Sequence, residues 1–126
     1  LAPLRALPAS TVYYGALYVR FWVALAKAAN RFAARGGDEA CGLGSFAAFR
    51  AANRGWLEPF ADFMALKAHF GGKAWTTWPG EFRRWTPQLR AGLPGGAARE
   101  VERHAFYQYL FFGQWDRLRR YATERR

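Results

Sequence analysis

The sequence is poor in cysteine, in histidine and in long apolar runs, and each shortage excludes a class of protein. Cys41 is the only cysteine, so no disulfide bond can form within the chain, which is typical of a reducing compartment. The two histidines, His69 and His104, have no neighbouring cysteines or paired carboxylates, and this excludes a zinc ligand set. No apolar run approaches the roughly 18 residues that span a bilayer. No secretory-signal pattern opens the sequence, and the start at Leu1 leads us to expect that further sequence precedes it.

Acidic residues are also few, and the abundant residues are aromatic and basic. Six tryptophans and eleven phenylalanines need a core or a partner surface to cover them, which excludes a disordered chain. Nineteen lysines and arginines against nine acidic residues give a formal net charge of +10. This charge keeps a basic, all-helical nucleic-acid-binding module open as an alternative, although no helix-turn-helix spacing is recognisable. A membrane-surface helix is disfavoured, because acidic residues interrupt the basic face of the last predicted helix.

Apolar spacing predicts an all-α fold, with no alternation typical of strands. In the first helical stretch Leu17, Phe21, Ala24 and Ala28 recur at intervals of three and four. Glycine pairs and the sequence Pro-Gly-Gly separate the stretches from one another. The predicted helices cover residues 12–35, 45–53, 57–70 and 97–124.

The third predicted helix and the segment after it contain several large apolar residues. Gly55 is predicted to interrupt the helical structure before this helix. Pro59 is predicted to lie in the first turn of the helix, where the missing backbone N–H costs little stability. One side of the helix is predicted to carry Phe60, Phe63, Met64 and Lys67. Residues 73–93 are predicted to be irregular. The tryptophans expected to anchor this segment against the helices are Trp75, Trp78 and Trp85.

No constellation of catalytic side chains is apparent. Glu58 and Asp62 share a face of the third predicted helix, and we interpret them as solvated surface charge. His104 lies on the apolar stripe of the last helix and is interpreted as a core histidine. Nothing marks Cys41 as an activated nucleophile. The stripe of the last helix consists of Val101, His104, Gln108, Phe111, Trp115, Leu118 and Ala122.

The order of several sequence words resembles a known enzyme family. WLEPFADFMALK at 56–67 is followed by HFGG at 69–72 and by WP at 78–79, and later come HAFYQYLFFGQW at 104–115 and YATER at 121–125. Together they resemble the 4-α-glucanotransferases called amylomaltases or disproportionating enzymes, of glycoside hydrolase family 77. The resemblance is dense from Trp56 to Arg125, and a weaker one extends back through residues 12–25.

The resemblance implies an internal piece of a larger enzyme. In that family a (β/α)₈ barrel carries a helical insertion, so residues 1–96 are expected to be the insertion subdomain and residues 97–126 the helix returning to the barrel. The chain is expected to stop where the next strand begins, which leaves the apolar face of the last helix to be covered by the missing barrel. The implied partners are α-1,4-glucans and maltooligosaccharides, with no cofactor, no metal and no membrane, in the cytoplasm.

The resemblance also implies a chemistry and one ligand residue. The parent is expected to transfer α-1,4-glucan segments to the 4-hydroxyl of glucose or a maltooligosaccharide by a retaining covalent mechanism, using two carboxyl groups about 5 Å apart. None of the carboxylates here matches that pair, so no catalytic residue is assigned and the chain alone is expected to be inactive. Tyr18 stands where some members have an aromatic residue that stacks on glucan at an accessory site. Two departures from the family are Pro59 in place of an aspartate and Gly113 in place of an arginine.

Overall fold

Five α-helices account for most of residues 10–125, the part of the chain that the computed structural model describes. Two 3₁₀ turns, Trp75–Thr77 and Gly80–Phe82, lie between the third and fourth helices. The described residues contain no strand, only an isolated antiparallel bridge between Glu39 and Ser45. The all-α prediction is therefore confirmed for this part of the chain. The helices are α1 (Tyr14–Ala34), α2 (Phe46–Ala52), α3 (Arg54–His69), α4 (Pro87–Ala91) and α5 (Ala97–Thr123).

The chain divides after Gly37 into two units. The first unit contains α1, whose bounds agree within two residues with the predicted helix 12–35. The second unit contains α2 to α5. The predicted boundary between residues 96 and 97 refers to the layout of a parent barrel, and it stays a prediction.

The core of the second unit forms where α3 packs against α5. Ala61 and Ala65 of α3 meet Ala97 and Val101 of α5, and Leu93 packs against the same cluster. Alanines separated by four residues lie one above the other on a helix and let a second helix approach closely. The buried residues of α3 are Leu57, Ala61, Asp62, Ala65 and Leu66, so the interface does not use the side that carries the large residues Phe60 and Phe63.

The start of α3 also differs from the prediction. The helix begins at Arg54, so Gly55 lies inside it and only Asn53 separates it from α2. Pro59 is consequently the sixth residue of the helix rather than part of its first turn. A proline there removes the hydrogen bond to the carbonyl of Gly55. The contacts of α3 with α5 hold the helix together across this gap, because tertiary packing outweighs local propensity in most protein helices.

The segment between α3 and α5 is organised around Trp78. This side chain is 2% exposed and belongs to a cluster with Leu66 and Leu89. Its Nε1 donates a hydrogen bond to the carbonyl oxygen of Lys73 over 3.2 Å. Thr86 caps α4 by accepting a hydrogen bond from the backbone N–H of Leu89. The anchoring role predicted for Trp78 is confirmed, whereas Trp75 and Trp85 remain partly exposed.

A loop of residues 38–45 is fastened to α5 by side chains from the helix. The hydroxyl of Tyr109 accepts a hydrogen bond from the N–H of Ala40 over 2.9 Å and donates one to the carbonyl of Gly44 over 2.7 Å. Arg117 Nη2 donates to the carbonyl of Gly42 over 2.8 Å. A Cβ added at Gly113 would lie 2.8 Å from Leu43 Cδ1. Glycine in the middle of α5 therefore gives this loop room to approach the helix.

Candidate functional site

Tyr18 lies on the first unit in the second turn of α1 and is 65% exposed. Its ring meets Trp22 edge to face, with 5.9 Å between the ring centroids. Tyr14, one turn earlier, and Phe21 are also exposed. We call Tyr14, Tyr18 and Phe21 the aromatic face of α1. This face can bind a ligand by stacking.

The carboxylates of α3 are not solvated surface charge as predicted. Asp62 is 0% exposed and lies in a network with Arg90 of α4, whose Nη1 is 3.6 Å from Asp62 Oδ2. The same Arg90 atom is 3.3 Å from Glu58 Oε2, and Arg54 Nε is 3.2 Å from Glu58 Oε1. The prediction failed because Arg90, the partner that compensates a buried charge, comes from a distant part of the sequence.

Asp62 also holds a tryptophan. Trp85 Nε1 donates a hydrogen bond to Asp62 Oδ2 over 2.8 Å, while the buried Asp62 Oδ1 has no hydrogen-bond partner among the described residues.

Beside this network is a cleft of about 200 Å³ whose walls include Arg50 and Arg54. Arg50 is bound by both carboxylate oxygens of Glu102, at 2.9 and 2.7 Å. The cleft therefore pairs its arginines with carboxylates of the same unit and leaves no excess of one charge.

Residues 10–125 contain no cluster of three or more histidine, cysteine or acidic side chains that could hold a metal ion. Cys41 is exposed in the loop that Arg117 binds. The guanidinium of Arg117 donates a hydrogen bond to the carbonyl of Gly42. The turn that contains Gly42 and Gly44 therefore presents a carbonyl oxygen to a cationic side chain. The geometry of this loop supports no phosphate-binding role.

Comparison with known proteins decides the family. The sequence profile described as 4-alpha-glucanotransferase, of glycoside hydrolase family 77, matches residues 3–126. The chain belongs to the 4-alpha-glucanotransferase family. A protein named 4-alpha-glucanotransferase from Thermus thermophilus is 40% identical over 112 residues, which are 89% of this chain and 22% of that protein.

Two further relatives of the same name agree with this result. The protein from Streptococcus pneumoniae serotype 4 is 34% identical over 117 residues, 92% of this chain and 22% of its own length. The protein from Aquifex aeolicus is 37% identical over 70 residues, 56% of this chain and 14% of its own length. The chain thus spans about a fifth of the length of the first two relatives. None of these matches supports the alternative of a nucleic-acid-binding module.

The two halves of α5 differ in their burial. Its first half is buried from Ala97 to Tyr109 on the side facing α2 and α3, whereas Phe111, Trp115 and Leu118 of its predicted apolar stripe are exposed. The apolar stripe therefore continues beyond the surface that the described helices cover.

No helix within residues 10–125 has both the length and the apolar character needed to cross a membrane.

His104, at the centre of α5, is confirmed as a buried histidine. It packs edge to face against Phe60 of α3 and against Tyr107. Burial lowers the pKa of His104 below its ordinary value, while the charge of Glu100 raises it and that of Arg103 lowers it further. The folded protein therefore favours the neutral imidazole.

This burial predicts a loss of stability in mild acid. Since the pKa of His104 is lower in the folded than in the unfolded chain, the unfolded chain binds the proton more readily, and the free energy of unfolding falls as the pH drops below about 6.5. Urea unfolding at about pH 7.5 and about pH 5.5 should show a smaller decrease for His104→Gln than for the wild type. His69→Gln, at an exposed histidine, is the control and should keep the wild-type decrease. Equal pH dependence of the wild type and His104→Gln would contradict this account.

Proposed function

We propose that this chain is the helical insertion subdomain, with the helix returning to the barrel, of a (β/α)₈-barrel 4-α-glucanotransferase that acts in the cytoplasm. The observation that carries the proposal is the match of the 4-alpha-glucanotransferase profile to residues 3–126, along with relatives of which the chain spans about a fifth. In this layout residues 1–96 form the insertion and residues 97–126 the returning helix. The exposed stripe at Phe111, Trp115 and Leu118 supports it, since an aromatic face of this kind is normally covered by another surface.

The reaction proposed for the whole enzyme is the transfer of an α-1,4-glucan segment. A nucleophilic carboxylate attacks the anomeric carbon, the glycosidic bond to the leaving sugar breaks, and an acid carboxyl protonates the departing 4-oxygen. The 4-hydroxyl of glucose or a maltooligosaccharide then attacks the glycosyl-enzyme ester while the second carboxyl takes its proton, which restores the α-configuration. Within this chain no carboxylate is assigned to either role, so the segment contributes structure and glucan contacts.

A product analysis tests the proposal. The full-length protein that contains this segment should convert maltotriose into glucose and a ladder of longer maltooligosaccharides. The 126-residue chain alone should leave maltotriose unchanged. If the full-length protein releases no glucose and instead binds nucleic acid with an affinity that falls steeply with salt, the alternative replaces the glucanotransferase proposal.

Tyr18 is the residue of α1 that we propose to contact glucan away from the catalytic centre. Its exposed ring offers an apolar face to the C–H side of a pyranose and a hydroxyl at the edge for hydrogen bonding. In the full-length enzyme, Tyr18→Ala should raise the Kd for glucans of many units about fivefold and leave transfer from maltotriose unchanged, because a short substrate does not reach an accessory site.

Two variants control for the loss of the ring. Tyr18→Phe keeps the stacking surface and should retain most of the affinity. Tyr13→Ala removes an exposed tyrosine that precedes α1 and should have no effect on glucan binding. Wild-type affinity of Tyr18→Ala for long glucans would exclude this role.

A further inference from the structure

The second unit carries a groove whose walls are formed by two tryptophans. It lies between the last turns of α3, the two 3₁₀ turns and α4, and it encloses about 60 Å³. Trp78 and Phe63 belong to its lining, together with Trp75, Trp85 and Arg83. We call these five residues the indole groove. They come from outside α1, so the groove is a feature of a different unit from the aromatic face described above.

The floor and the walls of the indole groove differ in their packing. Trp78, at the floor, is buried and lies 5.4 Å from the Phe63 ring, measured between centroids. Trp75 and Trp85, at the walls, are 51% and 38% exposed. Neither of these two indoles stacks on another ring within the described residues. The exposed parts of these two indoles can contact a ligand, whereas Trp78 is buried against Phe63 and Phe70.

The groove is also held rigid by polar contacts. Trp85 Nε1 donates to the fully buried Asp62 over 2.8 Å. Burying a carboxylate is costly, and here the buried charge orients an indole that is itself partly exposed. Arg83 Nε donates to the carbonyl of Trp78 over 2.6 Å, which fixes the exposed guanidinium at the rim. A surface whose aromatic and cationic groups are fixed in advance loses little entropy when it binds a ligand.

We propose that the indole groove is a binding site for α-1,4-glucan, and this inference rests on the proposed function of the whole enzyme. The C–H face of a pyranose carries a weak positive potential that complements the negative face of an indole. The guanidinium of Arg83 can donate hydrogen bonds to sugar hydroxyls, which the hydrocarbon chain of a lipid could not accept. Two partly exposed indoles that line the same groove offer apolar surface to more than one glucose unit of a chain.

The test is equilibrium binding by the full-length protein of maltoheptaose supplied as a thio-linked analogue, which the proposed transfer reaction does not cleave. We expect the double variant Trp75→Ala/Trp85→Ala to raise the Kd for maltoheptaose about tenfold, which equals about 1.4 kcal/mol, in calorimetric titrations. Trp56→Ala is the matched control, because Trp56 is 39% exposed and its Nε1 likewise donates to a side-chain oxygen, that of Asn53 over 3.0 Å. This control lies outside the groove and should keep the wild-type Kd.

A second variant separates a binding role from a folding role. Arg83→Gln leaves both indoles in place and should raise the Kd for maltoheptaose severalfold. The melting temperature should change little, because the side chain is exposed and makes one hydrogen bond to the backbone. If the double variant and Arg83→Gln both bind maltoheptaose with the wild-type Kd, the inference is overturned while glucose release from maltotriose still supports the proposed function. A lowered melting temperature with an unchanged Kd would show that these side chains serve folding and not glucan binding, which also overturns the inference. A wild-type protein that neither transfers nor binds glucan would overturn both.

Discussion

Trp78→Ala should lower the free energy of unfolding of the second unit by about 4 kcal/mol. The side chain is almost fully buried and packs against Phe70 and Phe63, with 5.2 and 5.4 Å between ring centroids. Removing the indole leaves a large cavity among Leu66, Leu89 and these rings, and the surrounding helices can collapse into it only partly. Urea unfolding of the 126-residue chain, followed by far-ultraviolet circular dichroism, measures the loss.

Trp115→Ala is the control for this substitution. Trp115 is a tryptophan of α5 that is exposed in the chain, where it stacks on Phe111 with 6.5 Å between centroids. Its removal from the 126-residue chain should cost less than about 1 kcal/mol, because little apolar surface leaves a buried position. Similar losses for the two variants would mean that the segment between α3 and α5 does not pack around Trp78.

Asp62→Ala should lower the free energy of unfolding by about 2–3 kcal/mol. The substitution removes the acceptor of the Trp85 hydrogen bond and one of the two carboxylates near Arg90. Breaking a fully buried pair costs about 3–5 kcal/mol. We expect a smaller loss of stability here, because Arg90 retains its ion pair with Glu58 and is partly exposed. Asp62→Asn retains an oxygen for Trp85 and should lose less than Asp62→Ala.

The control for this prediction is an ion pair on the surface. Asp116 lies 3.9 Å from Arg119, and both side chains are mostly exposed. Asp116→Ala should change the free energy of unfolding by less than about 1 kcal/mol, because exposed pairs are screened by solvent. Chemical denaturation of both variants at the same salt concentration gives the comparison. An Asp62→Ala variant as stable as Asp116→Ala would refute the structural role of the buried network.

The sequence was most informative about the bounds of the two longest helices, α1 and α5. Glycine pairs and the Pro-Gly-Gly sequence interrupt helices through backbone conformation, which does not depend on tertiary contacts. The bounds of α1 and α5 were therefore predicted within two residues. The face that α3 buries was not predicted. Its large side chains, Phe60 and Phe63, drew attention, whereas the helix interface is built on Ala61 and Ala65. Small residues mark a close helix crossing. Alanine is only weakly hydrophobic, however, so alanines at helical spacing give little periodic signal on a hydrophobicity scale.

The candidate sites differ in how far the sequence could predict them. Exposure of Tyr18 agrees with the role that the family resemblance implies, and its contact with glucan stays a prediction. The indole groove could not be predicted, because its walls come from a segment without helical or strand periodicity. Asp62, which orients one wall, was assigned to the surface. The pairing of Asp62 with Trp85 and Arg90 depends on the path of the chain after α3, which local patterns do not specify.

The fastening of the loop at 38–45 to α5 has a consequence for synthesis on the ribosome. The bond from Tyr109 to the carbonyl of Gly44 joins residues 65 positions apart. At about 5–20 residues per second, translation needs about 3–13 s to pass from one to the other. During that time the loop and the first turns of α2 have emerged without the helix that holds them. Phe46 and Phe49, which pack on Tyr109 in the finished structure, are then exposed as a chaperone-accessible segment of the nascent chain.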